Sequence, residues 1–291
     1  MSHTFILKIT KENMRLNIRD EFSPLKTVVV SYGEAVPPVE TYNGGHDPVV
    51  FKPVQKGWNR DLLLRQQENF FDLMEKYGVR VLKARTKENL WWQMFTRDTG
   101  FTYGDTFFYA LNRVFVERVG EIDCVLPLLK DIKGKVLAVG NGTAEGGDVL
   151  VAVDELYIGV SNRTSMEAVE FIRKYYPVRT FQLGNKVMHL DGCMTVLSAN
   201  RVLIYPDIFQ PDDLEFLKKR YKFLPITLEE AHNLGGNVLM INPETVVVEK
   251  SQKRIADMLK AEKFKVELVE YTESVALEGA FRCTTLPLER E

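Results

Sequence analysis

The chain has 291 residues, enough for one large domain or two small ones, and 45% of them are hydrophobic, enough to bury a sizeable core. Its 38 basic and 40 acidic residues leave a formal charge of -2, which gives no electrostatic footprint for nucleic acid or an anionic membrane. Three cysteines (Cys124, Cys193, Cys283) without a C-x-x-C pair argue against a disulfide framework and a thiolate zinc site, and for a reducing compartment. No apolar run reaches the ~18 residues of a membrane helix, and the opening ten residues lack a signal peptide's apolar stretch. A cytoplasmic protein is the expectation.

In chain order, Lys26–Ser31 reads as a strand, and residues 36–60 as a long irregular stretch rich in Pro and Gly, expected to be a lid. A helix over Asp61–Tyr77 and a strand over Val79–Leu82 follow. Thr106–Ala110 then turns into Val114–Val116. Asp148–Val153 turns at Asp154-Glu155 into Leu156–Val160, and Thr164-Ser-Met-Glu167 reads as the capping box of a helix that leads to a strand over Val178–Leu183. Cys193–Leu197 turns into Arg201–Tyr205, before a helix over Asp212–Tyr221 with Leu214, Phe216 and Leu217 inward. Asn237–Ile241 turns into Thr245–Glu249, before a helix over Ser251–Glu262 and a strand over Lys265–Tyr271. Cys283–Leu288 is a last apolar run.

These pieces are one unit repeated: strand, turn, strand, helix, strand. The second runs start at 114, 156, 201 and 245, at intervals of 42, 45 and 44. A fifth unit is split, with its first strand at the C-terminus and the remainder near the N-terminus. Pairing the chain ends would close a ring and remove two sheet edges. The expected fold is α/β, a single domain over 1–291 built as a five-bladed pseudo-symmetric α/β propeller of ββαβ repeats.

An unusual short segment precedes several of the first runs: Phe95-Thr-Arg-Asp98, Glu145-Gly-Gly-Asp148, His189-Leu-Asp-Gly192 and Gly279-Ala-Phe-Arg-Cys283. In a closed ring, equivalent positions converge at one end of the axis, so three carboxylates, an imidazole and a thiol would share one small volume. Such a set suits a guanidinium, a planar cation with five N–H donors that needs carboxylates as forks around its edge. Its carbon is a poor electrophile, so hydrolysis benefits from a thiolate nucleophile and a covalent intermediate. A histidine could protonate departing ammonia and then activate water.

The segments Phe-Thr-Arg-Asp, Glu-Gly-Gly-Asp, His-Leu-Asp and Arg-Cys-x-Thr-x-Pro-Leu resemble those of the guanidino-group modifying (pentein) superfamily, and arginine deiminase most closely. The resemblance implies a five-bladed α/β propeller with Cys283 as nucleophile, His189 as general acid and base, and Glu145 holding the guanidinium and orienting His189. It implies Asp98 and Asp191 on the remaining guanidinium nitrogens, Arg163 on the substrate carboxylate, and Phe95 stacked on the guanidinium plane. It departs from arginine deiminases, which carry an added helical domain and usually Gly-Gly-Pro-Arg where Gly279-Ala-Phe-Arg282 stands here. The size is closer to dimethylarginine dimethylaminohydrolases, which typically lack the equivalent of Asp191. Amidinotransferases share His-x-Asp but usually lack Glu-Gly-Gly-Asp.

The expected activity is therefore a hydrolase of C–N bonds in arginine or an N-substituted arginine, giving a ureido product plus ammonia or an amine. Amidino transfer and citrulline or arginine dihydrolysis stand as alternatives, as does a partner-binding propeller without catalysis. No cofactor and no metal are expected; the expected partner is a small arginine-like guanidine, and the oligomeric state, homo-oligomer included, stays open. Plainer readings remain beside these. Cys124 and Cys193 read as core residues, Asp148 as a backbone-bonding turn residue, Trp91-Trp92 as packing, and Gly235-Gly236-Asn237 as backbone geometry. Arg163 has an equal reading as a residue that binds a carbonyl at a helix turn. His3 and His232 read as solvated or loop residues, while His46 is balanced between solvent and substrate.

Overall fold

The computed structural model describes residues 14–38, 57–184 and 187–291. Of the stretch 36–60 read as a lid, residues 39–56 lie outside the described residues, as do His3 and His46.

Among the described residues there are five three-stranded sheets, each with its central strand antiparallel to one neighbour and parallel to the other. The first holds β1 (Leu25–Val30) and β2 (Arg80–Lys83), linked by helix α1 (Arg60–Lys76). The second holds β3 (Phe101–Tyr103), β4 (Thr106–Tyr109) and β5 (Lys135–Ala138), with α2 (Ile122–Leu129) before β5. The third holds β6 (Val149–Val151), β7 (Leu156–Ser161) and, after α3 (Met166–Ile172), β8 (Val178–Gly184). The fourth holds β9 (Met194–Ser198), β10 (Arg201–Ile204) and, after α4 (Pro211–Arg220), β11 (Lys222–Pro225). A short helix α5 (Leu228–His232) leads to the fifth, with β12 (Leu239–Asn242), β13 (Thr245–Glu249) and, after α6 (Lys253–Ala261), β14 (Lys265–Val269). Helix α7 (Thr272–Ala276) then leads to β15 (Leu286–Arg290), which pairs antiparallel with β1 and completes the first sheet.

The repeated connection follows from chain geometry. A tight turn suffices for the antiparallel step, whereas the parallel step needs a crossover long enough to hold a helix. Central strands are covered on both faces, so they read as unbroken apolar runs: all five residues of β13, Thr245-Val-Val-Val-Glu249, are buried. Helix α1 closes one side of the first sheet with Phe70, Phe71 and Met74 against Val28 and Val30. Each such side chain stabilises the fold by roughly 1.5–3 kcal/mol.

Two sequence expectations are corrected. Val114–Val116 is not a strand. The second sheet takes its antiparallel pair one step earlier, from β3 and β4, and the chain then makes a 3-10 turn over Val116–Arg118. Val114 and Val116 are exposed, because the turn spends its inward positions on Arg113 and Arg118. The cap of α3 is Ser165, whose hydroxyl accepts from the Ala168 amide, one residue beyond the expected Thr164. Among the described residues no helix is long and apolar enough to cross a membrane.

Candidate active site

The segments before the first strands fold as tight turns rather than strand starts. Thr96–Thr99, Gly146–Asp148 and Leu190–Gly192 are each one 3-10 turn. Glycine is required where they meet: a Cβ on Gly146 would lie 2.3 Å from the Arg97 carbonyl oxygen, and one on Gly147 would lie 2.6 Å from Nδ1 of His189. The turns contact one another in sequence. The first packs on the second and the second on the third. The Asn237 side chain joins the third to the Arg282-Cys283 turn, and the Arg97 amide donates to the Cys283 carbonyl oxygen at 3.1 Å, returning to the first.

His189 is buried, and its Nε2 lies 2.7 Å from Oε2 of Glu145; its Nδ1 is 3.7 Å from Oδ1 of Asp98. Burial opposes the imidazolium, yet Asp98 and the hydrogen bond to Glu145 outweigh it and raise the histidine to about 9. Burial likewise opposes ionisation of Glu145, but guanidinium groups overwhelm it and hold this carboxyl well below the usual range. Arg113 Nη2 lies 2.9 Å from Glu145 Oε1, Arg163 Nη1 lies 3.0 Å from Oε2, and Arg118 Nη1 stands 3.8 Å from Oε2. Arg118 also reaches Asp98 Oδ2 at 2.8 Å and Glu121 at 3.0 Å, and Arg163 lies over the Phe115 ring at 4.2 Å.

Asp191 differs. Neither of its oxygens has a hydrogen-bond partner, although it is 1% exposed; its nearest cation is Arg282, with Nε at 3.5 Å. Burial pushes its carboxyl up, against the pull of Arg282 and His189. Oδ1 of Asp98 is also without a hydrogen-bond partner. Cys283 is buried, and desolvation, Asp191 and Asp98 together push its thiol well above the ordinary value. Phe95 packs in one apolar cluster with Cys283, stacks on Trp92 and leaves room only for a glycine at 279.

A cleft is lined by His189, Asp191, Cys193, His232, Asn237 and Cys283, with an apolar wall that includes Val187 and Leu234. It brings together the thiol, the imidazole and Asp191. Arg163 does not line it and is engaged with Glu145. Asp148 bonds the Leu190 amide and the Ser161 hydroxyl, which is a turn-holding arrangement. Cys124 and Cys193 are buried, Trp92 packs on Phe95, and Trp91 is 39% exposed.

The sequence reading missed Arg113, which it placed in the turn before Val114–Val116, Arg118 and Glu121, which it did not single out, and Asn237, which it read as backbone geometry. It also missed Glu21, buried under the Arg282-Cys283 turn, where Arg282 Nη1 lies at 2.9 Å and the Val151 amide at 2.9 Å. The fixed spacing Arg118-x-x-Glu121 was the one local signal available.

Asp98, Glu145 and His189 offer donor atoms within 4.8 Å of one another, a spacing that could hold a metal ion. The chemistry of the set speaks otherwise, because three arginines already neutralise Glu145 and Asp98. A metal ion held by all three donors would sit against those guanidinium groups.

The α/β repeats and the convergent thiol, imidazole and carboxylates define the pentein class of guanidino-group modifying proteins. Residues 54–289 match the family described as N,N dimethylarginine dimethylhydrolase, eukaryotic. The chain belongs to this family, whose members are hydrolases that act on C–N bonds of amidines. It is similar to YkgA of Bacillus subtilis, with 28% identity over 228 residues, 77% of this chain and 79% of that one. It is also similar to an arginine deiminase of Streptococcus uberis, with 26% identity over 194 residues, 52% of this chain and 47% of that one. It thus spans about half the length of that deiminase. Among solved structures, the dimethylarginine dimethylaminohydrolase of Pseudomonas aeruginosa complexed with citrulline superposes with a TM-score of 0.77 over 91% of this chain and 99% of that one. At 19% identity that likeness concerns the fold.

Proposed function

We propose that the chain is a cysteine-dependent hydrolase of the guanidinium group of arginine or an N-substituted arginine, formed as one catalytic domain whose five sheets are the blades of a propeller. The contacts between successive turns support the ring. The observation that carries the chemistry is the Asp191 carboxylate, neither oxygen of which has a hydrogen-bond partner, in one cleft with a thiol and an imidazole; Oδ1 of Asp98, also without a hydrogen bond, lies 3.7 Å from that imidazole. A buried carboxylate oxygen without a hydrogen bond costs free energy that an arriving cation recovers. A guanidinium is the planar cation that satisfies both forks at once.

In this reading Asp98 and Asp191 grip the guanidinium nitrogens, and Phe95 packs beside the carbon to be attacked. The bound cation offsets the two negative charges that hold the Cys283 proton, so the thiol gives its proton to solvent water and the thiolate forms when substrate is present. Sulfur adds to the guanidinium carbon. His189, charged because of Glu145 and Asp98, gives its proton to the departing nitrogen, and ammonia or an amine leaves a thiouronium on Cys283. Neutral His189 then takes a proton from water; the resulting hydroxide adds to the carbon, and the expelled thiolate takes up the proton left on the ureido group, which returns Cys283 as a thiol and leaves a neutral ureido product. Glu145 fixes the imidazole and is itself held ionised by Arg163 and Arg113.

The test is incubation of the purified protein with arginine, dimethylarginine and agmatine, with measurement of ureido product and released amine. Turnover of an arginine-like guanidine is expected. Product formed only on addition of glycine or another amine would select amidino transfer, and no turnover of any guanidine would sink the hydrolase.

A further inference from the structure

From its hydrogen bonds we infer that Asn237 is a positioning residue that locks the turn carrying His189 and Asp191 to the turn carrying Cys283. Its Oδ1 accepts from the Arg282 amide at 2.9 Å and the Cys283 amide at 3.4 Å. Its Nδ2 donates to the Asp191 carbonyl oxygen at 3.2 Å. One carboxamide therefore joins two chain segments about ninety residues apart, both of which line the cleft that Asn237 itself lines.

The requirement for asparagine is specific. The side chain must accept on one side and donate on the other, which aspartate cannot do. At 1% exposure there is no space for the extra methylene of glutamine, and serine is too short to span both turns. The preceding glycine serves this reach. A Cβ on Gly236 would lie 2.8 Å from the Gly192 carbonyl oxygen, so only glycine lets the strand approach the His189 turn so closely. Thr195 Oγ1 donates to the Gly236 carbonyl oxygen at 2.7 Å and fixes the peptide before Asn237. The fifth sheet brings no acid or base to the site and contributes this link instead. Near-attack geometry tolerates little displacement, and a shift near 1 Å can cost about 100-fold in rate.

The inference rests on the proposed roles of Cys283 and Asp191, and its test reads them apart from turnover. Asn237→Ala and Asn237→Asp would be compared with the wild type in kcat, KM, thermal unfolding and alkylation of Cys283 by neutral iodoacetamide and cationic chloroacetamidine. Asp191 recruits the cationic reagent, so it labels fast only while thiol and carboxylate are held together. Expected are a kcat lower by about 10- to 100-fold with KM within about threefold, and a chloroacetamidine-to-iodoacetamide rate ratio at least tenfold below wild type. Asn237→Asp keeps the acceptor and loses the donor, so it gives the deciding ratio if Asn237→Ala does not fold. A folded variant whose kcat and ratio stay within twofold of wild type overturns the inference, as does a loss that only follows the unfolded fraction. Wild-type protein that turns over no guanidine but shows the ratio change would sink the hydrolase and keep the link.

Discussion

Glu145 and Asp191 are both buried carboxylates beside the same imidazole, and their surroundings are opposite. Glu145 has three arginines of its own chain within 3.8 Å and is held ionised, whereas the carboxylate of Asp191 has no hydrogen bond and its pKa is pushed up. In the proposed mechanism the difference separates two tasks. A charge that must orient His189 throughout a reaction cycle is fixed by permanent partners. A charge that must receive a passing cation is left with capacity unspent, and the fold bears the cost.

Removing the group that the second task serves gives the largest expected effect. Cys283→Ser lowers kcat by at least about 1,000-fold, because an alcohol is a far weaker nucleophile at neutral pH, with thermal stability little changed. Turnover by the serine variant near the wild-type rate would remove the thiol from the mechanism. The next effect breaks the comparison directly. Glu145→Gln strands Arg113, Arg118 and Arg163 without their shared counter-ion and is expected to cost about 3–5 kcal/mol in denaturant unfolding. Asp191→Asn removes a charge that nothing strongly pairs, so its stability stays within about 1 kcal/mol of wild type while kcat/KM for a guanidine falls by about 100-fold. Equal destabilisation by both variants would show that the two carboxylates do not divide the work in this way.

The same contrast explains what was legible in the chain. Cys283, His189, Glu145, Asp98 and Asp191 were singled out because they recur at one phase of a repeat, and phase is visible in a linear sequence. The repeated three-stranded sheets were legible for the same reason, from apolar runs spaced by the strand–turn–strand unit. Arg113 and Arg118 were not, because their partners Glu145 and Asp98 lie 32 and 20 residues away and no periodicity marks the pair. The apolar letters of Val114-Phe-Val116 favoured a strand, and tertiary ion pairing overrode that preference. Glu21 carries no motif; it matters only because β15 pairs with β1 and brings Arg282 over it, a contact between the two ends of the chain.

Glu21 therefore supplies the last effect, and a different kind of test. Burial opposes its charge, but Arg282 and Arg97 prevail and lower it from 4.5 to about 2. A carboxyl depressed in the folded state binds its proton more readily when unfolded, so its contribution is complete above about pH 4.5 and is lost as pH falls towards 2. A shift of this size corresponds to about 3 kcal/mol. His189 has the opposite sign: raised from 6.5 to about 9, it stabilises below pH 6.5 and ceases to do so as pH rises through 9. Chemical denaturation across pH is expected to show both limbs, with the alkaline one absent in His189→Asn and the acid one reduced in Glu21→Gln. If Glu21→Gln left the acid limb of the wild type unchanged, the charge beneath the Arg282-Cys283 turn would be held by something other than Arg282. The thiol would then owe its place to the Arg97 and Asn237 bonds alone.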